Sequence, residues 1–313
     1  MKSKILFLVL FLFGIANLFA TTWDEPWADK VIKEADYFVL AEILPDSENG
    51  VKIKIIRQLG GDKLPTEIEI TNFYLLGLTS FSHGVGFEFG NVEQSYLFLK
   101  KNDKGEFCIA TPTTFDAVRD ENVYATYRHS YHQALVPIDI YEMTMSAIFN
   151  NYHKLPYDKK KITDFIDEQL SKKTAGFDKD EINTFFLQHV SLETIFHLRL
   201  DGYYDKIVPF LNDNSNFHNR VAAARALIAY NNSETKKLLL NKIANNKNDD
   251  FVTVICIWTL KEFQPKELKS DLQKLVRKAS TKDNGFGGNI MDPRVGTTFP
   301  NVKRALTDLI NSL

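Results

Sequence analysis

The run NRVAAARALIAY, Asn219–Tyr230, sets two arginines into a small, apolar, helix-forming stretch and decides how the second half of the chain is read. Arg220 and Arg225 stand five positions apart, about 140° around a helix of 3.6 residues per turn, so they form no single basic stripe. The alanines between them favour close contact between helices, because they lose little side-chain freedom and leave backbones free to approach. Val221, Ala224 and Ile228 fall on one side of the helix, with Ala223, Leu227 and Tyr230 on an adjacent one. Arg220 is expected at the helix entrance, bonding Asp213 across the preceding turn. Arg225 is expected at a boundary, its stem packed and its charge in water.

The same pattern recurs on either side. Val190, Val221 and Val252 stand at intervals of 31 within HVSLETIFHLRL, NRVAAARALIAY and DFVTVICIWTL. Each run is followed by a break and a second amphipathic segment: GYYDKIVPFL, SETKKLLLNKIA and PKELKSDLQKLVRKA. Three such hairpins bury both faces only by stacking, which predicts a short helical solenoid over approximately residues 185–280. LNDNSNFHNRVAAARALIAY followed by SETKKLLLNKI resembles HEAT-like repeats, with Asp213, Arg220, Val221, Ala224 and Leu227 at the turn, entry-arginine and packed-helix positions. That resemblance implies a binding scaffold more often than a catalyst. The closing NVKRALTDLINSL places Val302, Ala305, Leu306, Leu309 and Ile310 on one stripe and is expected to cap the solenoid. Before the repeats, IDIYEMTMSAIFNNYH and YDKKKITDFIDEQLSKK have helical periods, the second with Asp158 as a cap. FDKDEINTFFLQHV offers Asp178 and Glu181 as a reciprocal cap.

Upstream the period changes. DYFVLAEIL, VKIKIIRQL, TEIEITNFYLL, QSYLFLKK and EFCIATP read as strands joined without intervening helices, which predicts an antiparallel sheet closing into a small barrel. VKIKI directs Val51, Ile53 and Ile55 to one face and Lys52 and Lys54 to the other; TEIEI repeats this with Ile68 and Ile70 opposed to Glu67 and Glu69. The two outer faces have opposite charge and are candidates to pair. DSENG (46–50) is a hairpin turn candidate, and Gly60–Gly61 supplies residues tolerant of positive φ. ADYFVLAEIL, VKIKIIRQLGGDKLPTEIEI and SYLFLKKNDKGEFCIA together resemble the OB-like barrel of netrin-type and tissue-inhibitor-of-metalloprotease modules over approximately residues 30–135. The chain has GGD in place of the family's Lys–Gly turn and lacks its metal-coordinating N-terminal cysteine, so the resemblance implies a barrel and carries no inhibitory residue.

The expected fold class is therefore α+β in two domains, a small antiparallel β-barrel at 21–135 and a helical domain at 136–313. Residues 1–20, MKSKILFLVLFLFGIANLFA, have the basic start, apolar centre and small-residue end of a secretory signal, with cleavage expected after Ala20. The alternative is an uncleaved anchor; no later stretch is apolar for long enough to span. Cleavage leaves 293 residues and takes the formal charge from −2 to −4. A mixed surface of that kind gives no general attraction to nucleic acid or anionic membrane. Cys108 and Cys256, each in an apolar run, are expected to be buried thiols; a mutual disulfide is the alternative that export permits.

Catalytic signals are weak. GFGGN (285–289) lacks the Lys–Ser/Thr ending of a phosphate loop and reads as a turn, with Asp292 and Arg294 either fixing it through hydrogen bonds or solvated. His129 and His132 in TYRHSYHQ, with Glu142 recruited by folding, are the one metal-site candidate. His189 and His197 read as helix-packing residues, and Asp164, Asp167 and Glu168 as a solvated helix face. No cofactor is implied. The functional expectation is an exported, periplasmic or extracellular protein-interaction module with a protein or peptide partner. The alternative is a secreted hydrolase whose interdomain site uses His129, His132 and Glu142.

Overall fold

The computed structural model describes residues 23–44, 51–71, 93–126, 133–214, 216–245, 249–283, 295–296 and 298–313. Its architecture is α+β, a closed five-stranded β-barrel followed by a run of packed helices. The barrel strands are β2 (Tyr37–Ile43), β3 (Val51–Gly60), β4 (Glu67–Ile70), β5 (Gln94–Lys101) and β6 (Phe107–Cys108), in the order β2-β3-β4-β6-β5, with β2–β5 pairing closing the ring. All pairs are antiparallel except β4–β6, which meet at Ile70 and Phe107. Strand β2 serves both β3 and β5 because its register against β3 shifts at Phe38/Val39 and at Leu40/Ala41, bulges that bend it around the barrel.

Two kinds of strand build this barrel. In β3 and β4 the inward residues Val51, Ile53, Ile68 and Ile70 are buried, while Lys52, Lys54 and Glu67 are exposed. Lys52 stands opposite Glu69 and Lys54 opposite Glu67, so the expected charge complementarity lies across neighbouring strands. In β2 and β5 the alternation is apolar on both sides. Val39, Ala41, Leu97 and Leu99 join the barrel interior, whereas Phe38, Leu40, Tyr96 and Phe98 enter a second core shared with the helices. A strand covered on both faces has no solvent side on which to carry charge.

That second core is continuous from the barrel wall to the last helix. Helix α2 (Ile138–Tyr152) lies on the barrel, with Phe38 stacked on Phe98 at 4.5 Å and Phe149 at 6.1 Å from Phe38. Phe149 reaches so close to β3 that a Cβ on Gly60 would stand 2.4 Å from its ring. Glycine there permits the approach; the adjoining Gly61 has φ +84° and makes the turn.

Beyond α2 come α3 (Lys159–Leu170), α4 (Ile182–Leu198), α5 (Tyr204–Asn212), α6 (Phe217–Ala226), α7 (Ser233–Asn245), α8 (Asp250–Glu262) and α9 (Lys269–Val276). Helices α4, α6 and α8 stack in order, and Val190, Val221 and Val252 are 0%, 0% and 1% exposed, so the 31-residue spacing marks one shared buried position. The terminal helix, Val302–Ser312, packs on α8 and α9. Asp158 caps α3 by accepting from the Lys161 amide, and Asn216, Asp249 and Asn301 do the same for α6, α8 and the terminal helix.

Four details differ from the sequence reading. FDKDEINTFFLQHV and HVSLETIFHLRL are not two helices but one, α4, which begins at Ile182; Asp178 meets its first turn with a main-chain carbonyl, and Glu181 turns back to the Gly176 amide. The polar entry TTWDEPWADK leads into a helix, α1 (Ala28–Glu34), preceded by the short strand β1 (Trp23–Asp24). After β6 the sheet continues through β7 (Phe115–Arg119), β8 (Asn122–Thr126) and β9 (Gln133–Pro137), extending from β5. Finally, Arg225 does not keep its charge in water: it is 7% exposed. The DSENG turn lies outside the described residues. Cys108 and Cys256 are buried free thiols, the second pushed up to about 12 by burial.

Candidate functional site

The proposed metal set divides. His129 and His132 lie outside the described residues, as do GFGGN, Asp292 and Arg294. Glu142 faces the barrel from α2, accepting from the Tyr96 hydroxyl at 2.6 Å and from Arg57 at 2.5 Å. Burial and that carboxylate push the Tyr96 hydroxyl far above the ordinary tyrosine range, so it stays a donor. Asp164, Asp167 and Glu168 pair with Lys160, Lys206 and Lys172 on an open face. Among the described residues no three His, Cys, Asp or Glu side chains form a metal-binding group.

The structural-repeat residues do meet. Arg220 donates to the main-chain oxygen of Asp213 at 3.0 Å, and its other arm reaches the Asp249 carboxylate at 2.6 Å. Val221, Ala224 and Leu227 are fully buried between helices. Thr259 of α8 donates to the Ala224 carbonyl at 2.8 Å, which holds the backbones close where the alanines allow it.

A buried group of ionisable side chains lies where α1, α2, α4 and α6 converge. Arg225 Nε donates to Glu193 Oε2 at 3.2 Å, and Glu193 is 0% exposed. The guanidinium lies between two aromatic faces, 3.9 Å from the Phe196 ring centre and 4.7 Å from that of Trp27. Its Nη2 makes no hydrogen bond among the described residues and stands 4.0 Å from Asp29 of α1. One turn beyond Glu193, His197 Nδ1 meets the Tyr152 hydroxyl at 2.9 Å. Burial holds His197 well below the ordinary histidine range, and the charges of Arg225 and Arg199 act in the same direction, so its imidazole is neutral. Its Nε2 has no partner among the described residues. The cluster neutralises one buried charge with another and ties four helices together.

A second buried carboxylate occurs at the barrel end of the same segment. Glu25 is 6% exposed and accepts from the Thr111 hydroxyl at 2.8 Å, Thr114 at 3.0 Å, Thr113, and the Trp23 indole at 3.2 Å. Burial raises it above the usual carboxylate range, against the opposing effect of these four donors. Beside it lies a cavity of about 30 Å³ whose wall includes Asp116, which accepts from the buried Tyr141 hydroxyl.

Sequence reading passed over both carboxylates. Glu25 sits in a short polar stretch with no periodicity. Glu193 carried a signal, since it stands three residues after Val190 and Arg225 four after Val221; aligning the repeats sets the two side by side. No family model, curated protein or solved structure matches the chain.

Proposed function

We propose that the protein is an exported protein-binding module whose HEAT-like helical stack, fixed to an OB-like barrel, presents an aromatic edge to a protein or peptide partner. The observation that supports this reading is Phe177, a large apolar side chain 53% exposed at the start of the stack. Its ring lies 4.8 Å from Phe185 and meets His218 edge-on at 5.5 Å. His218 contacts Phe217, and Phe217 contacts Phe251 on the next repeat at 5.4 Å. An exposed aromatic anchored to a row of half-buried and buried rings is the kind of rigid apolar contact on which binding energy concentrates. The continuous core beneath keeps the edge preformed, so little ordering is required on association.

The test is site-specific photocrosslinking from position 177 of the mature protein in envelope and extracellular extracts, with position 155, where Leu155 is 48% exposed, as the comparison. A saturable adduct at 177 that His218→Asp weakens, with little adduct at 155, is expected. Equal labelling at both positions, or none that saturates, would remove the stack edge as a binding surface.

A further inference from the structure

We propose that Glu25 and the threonine turn Thr111–Thr114 form a proton-operated latch that sets how tightly the N-terminal strap, Trp23–Glu34, is held across the junction of barrel and helices. The strap touches both parts of the molecule. On the helical side, β1 pairs in parallel with β10 (Val295–Gly296), Thr298 donates to Asp24 at 2.7 Å, and Trp27 meets Trp258 edge-on at 5.9 Å. On the barrel side, Glu34 accepts from Lys100 of β5 at 3.1 Å, and the other side-chain ties centre on the Glu25 carboxylate and the Trp23 indole, which also reaches Thr113 at 3.1 Å.

Every donor to Glu25 in this cradle is neutral: three hydroxyls and one indole. Among the described residues, the lining beside Glu25 includes no lysine or arginine. Helix α1 contributes Ala28, Val31 and Ile32 to the cavity, β5 Phe98, and α2 Met145, while β7 contributes Phe115 and a second carboxylate, Asp116. The charged form is therefore held by dipoles alone in a site removed from water. A threonine hydroxyl both donates and accepts, so the cradle can hold the protonated acid by turning one hydroxyl, with no rearrangement of the chain. The desolvated carboxylate titrates above the ordinary glutamate range. The folded strap thus takes up a proton at a higher pH than the released strap. Attachment is strongest below the ordinary glutamate pKa and weakens as pH rises through the folded value.

The Trp23 indole reports on this directly. In the full mature chain labelled with ¹⁵N, its N–H resonance is identified by its loss in Trp23→Phe and followed against pH. One titration step centred above about 4.3, the ordinary glutamate value, is expected, and Glu25→Gln should abolish it. Thr113→Val, which removes a donor to the charged form, should move the step to higher pH. Hydrogen exchange of residues 23–34, corrected for the intrinsic rate, should quicken as pH rises through the same step and become independent of it in Glu25→Gln. A resonance that does not titrate, a step at or below the ordinary value, or pH-dependent exchange preserved in Glu25→Gln would overturn the latch. Should Glu25→Gln not fold, a Thr113→Val step that stays in place or moves down would do the same.

Discussion

Arg220 and Arg225 share one helix and the same kind of partner, yet their ion pairs occupy different surroundings. Arg220 meets Asp249 at the helix entrance, where both side chains are 14% exposed and Asp249 also caps the next helix. Arg225 meets Glu193 where the carboxylate has no exposure, and two aromatic faces take the place of water. The first pair joins consecutive repeats within the stack. The second also joins consecutive repeats and, through Trp27 and Asp29, reaches the strap, and its cost of desolvation is offset only while every member stays in place.

The largest expected effect follows from that difference. Arg225→Ala takes the cation away from the buried Glu193 carboxylate and from between Trp27 and Phe196, a loss of about 3–5 kcal/mol in denaturant unfolding. Arg220→Ala leaves Asp249 near water and in use as a cap, so a smaller loss, roughly 1.5–3 kcal/mol, is expected. The comparison sharpens in a double variant: Arg225→Met with Glu193→Met removes both charges at similar volume and should recover most of the single-variant loss. If Arg220→Ala is the more damaging substitution, or the double variant is worse than the sum of the singles, the two surroundings have been assigned the wrong way round.

The turn contact of Arg220 with Asp213 was legible in the sequence, whereas its pair with Asp249 and the Arg225–Glu193 pair were not, for a physical reason. A residue at a helix entrance is constrained by its neighbours in sequence, so Arg220 and Asp213 could be connected across a turn. A residue in mid-helix is constrained by whatever packs on it, and Arg225 depends on Trp27, nearly two hundred positions away. The strands show the same split. VKIKI announces its buried face because its other face meets water, whereas YFVLA and YLFL announce only that they are buried. What covered them, α2 and α1, became apparent once the chain was folded. Helix α1 was missed because seven residues contain only two turns, too few for a period to declare itself.

A middle-sized effect tests the alanine contacts between the two arginines. Ala223 is 0% exposed, and the Thr259–Ala224 bond shows that α6 and α8 approach backbone to side chain along this stretch. Ala223→Leu adds three carbons with no space to receive them, and a loss of roughly 1–3 kcal/mol from forced displacement is expected. Ala223→Gly, which removes volume and loosens the helix, should cost about 1 kcal/mol. A leucine tolerated without change in the unfolding midpoint would mean that the helices are not in close contact here, and that Arg225 is not held by their packing.

The smallest effect is one of pH, and it separates the buried pair from the buried histidine beside it. His197 is held neutral, below its unfolded value, so the unfolded chain binds the additional proton. Its contribution is fully present above about 6.5, the ordinary histidine value, and is lost as pH falls from there toward the folded value. Glu25 acts in the opposite direction, since its raised folded value strengthens the strap as pH falls. The total acid response therefore hides both, and the difference between variants exposes each. His197→Asn keeps a polar group near the Tyr152 hydroxyl and cannot take up a proton. Comparing unfolding midpoints at pH 7.5 and 5.5, the wild type should lose more stability on acidification than His197→Asn, by no more than the binding of one proton allows. Equal losses would show that the imidazole titrates normally, and neither its burial nor the charges of Arg225 and Arg199 would then hold it neutral.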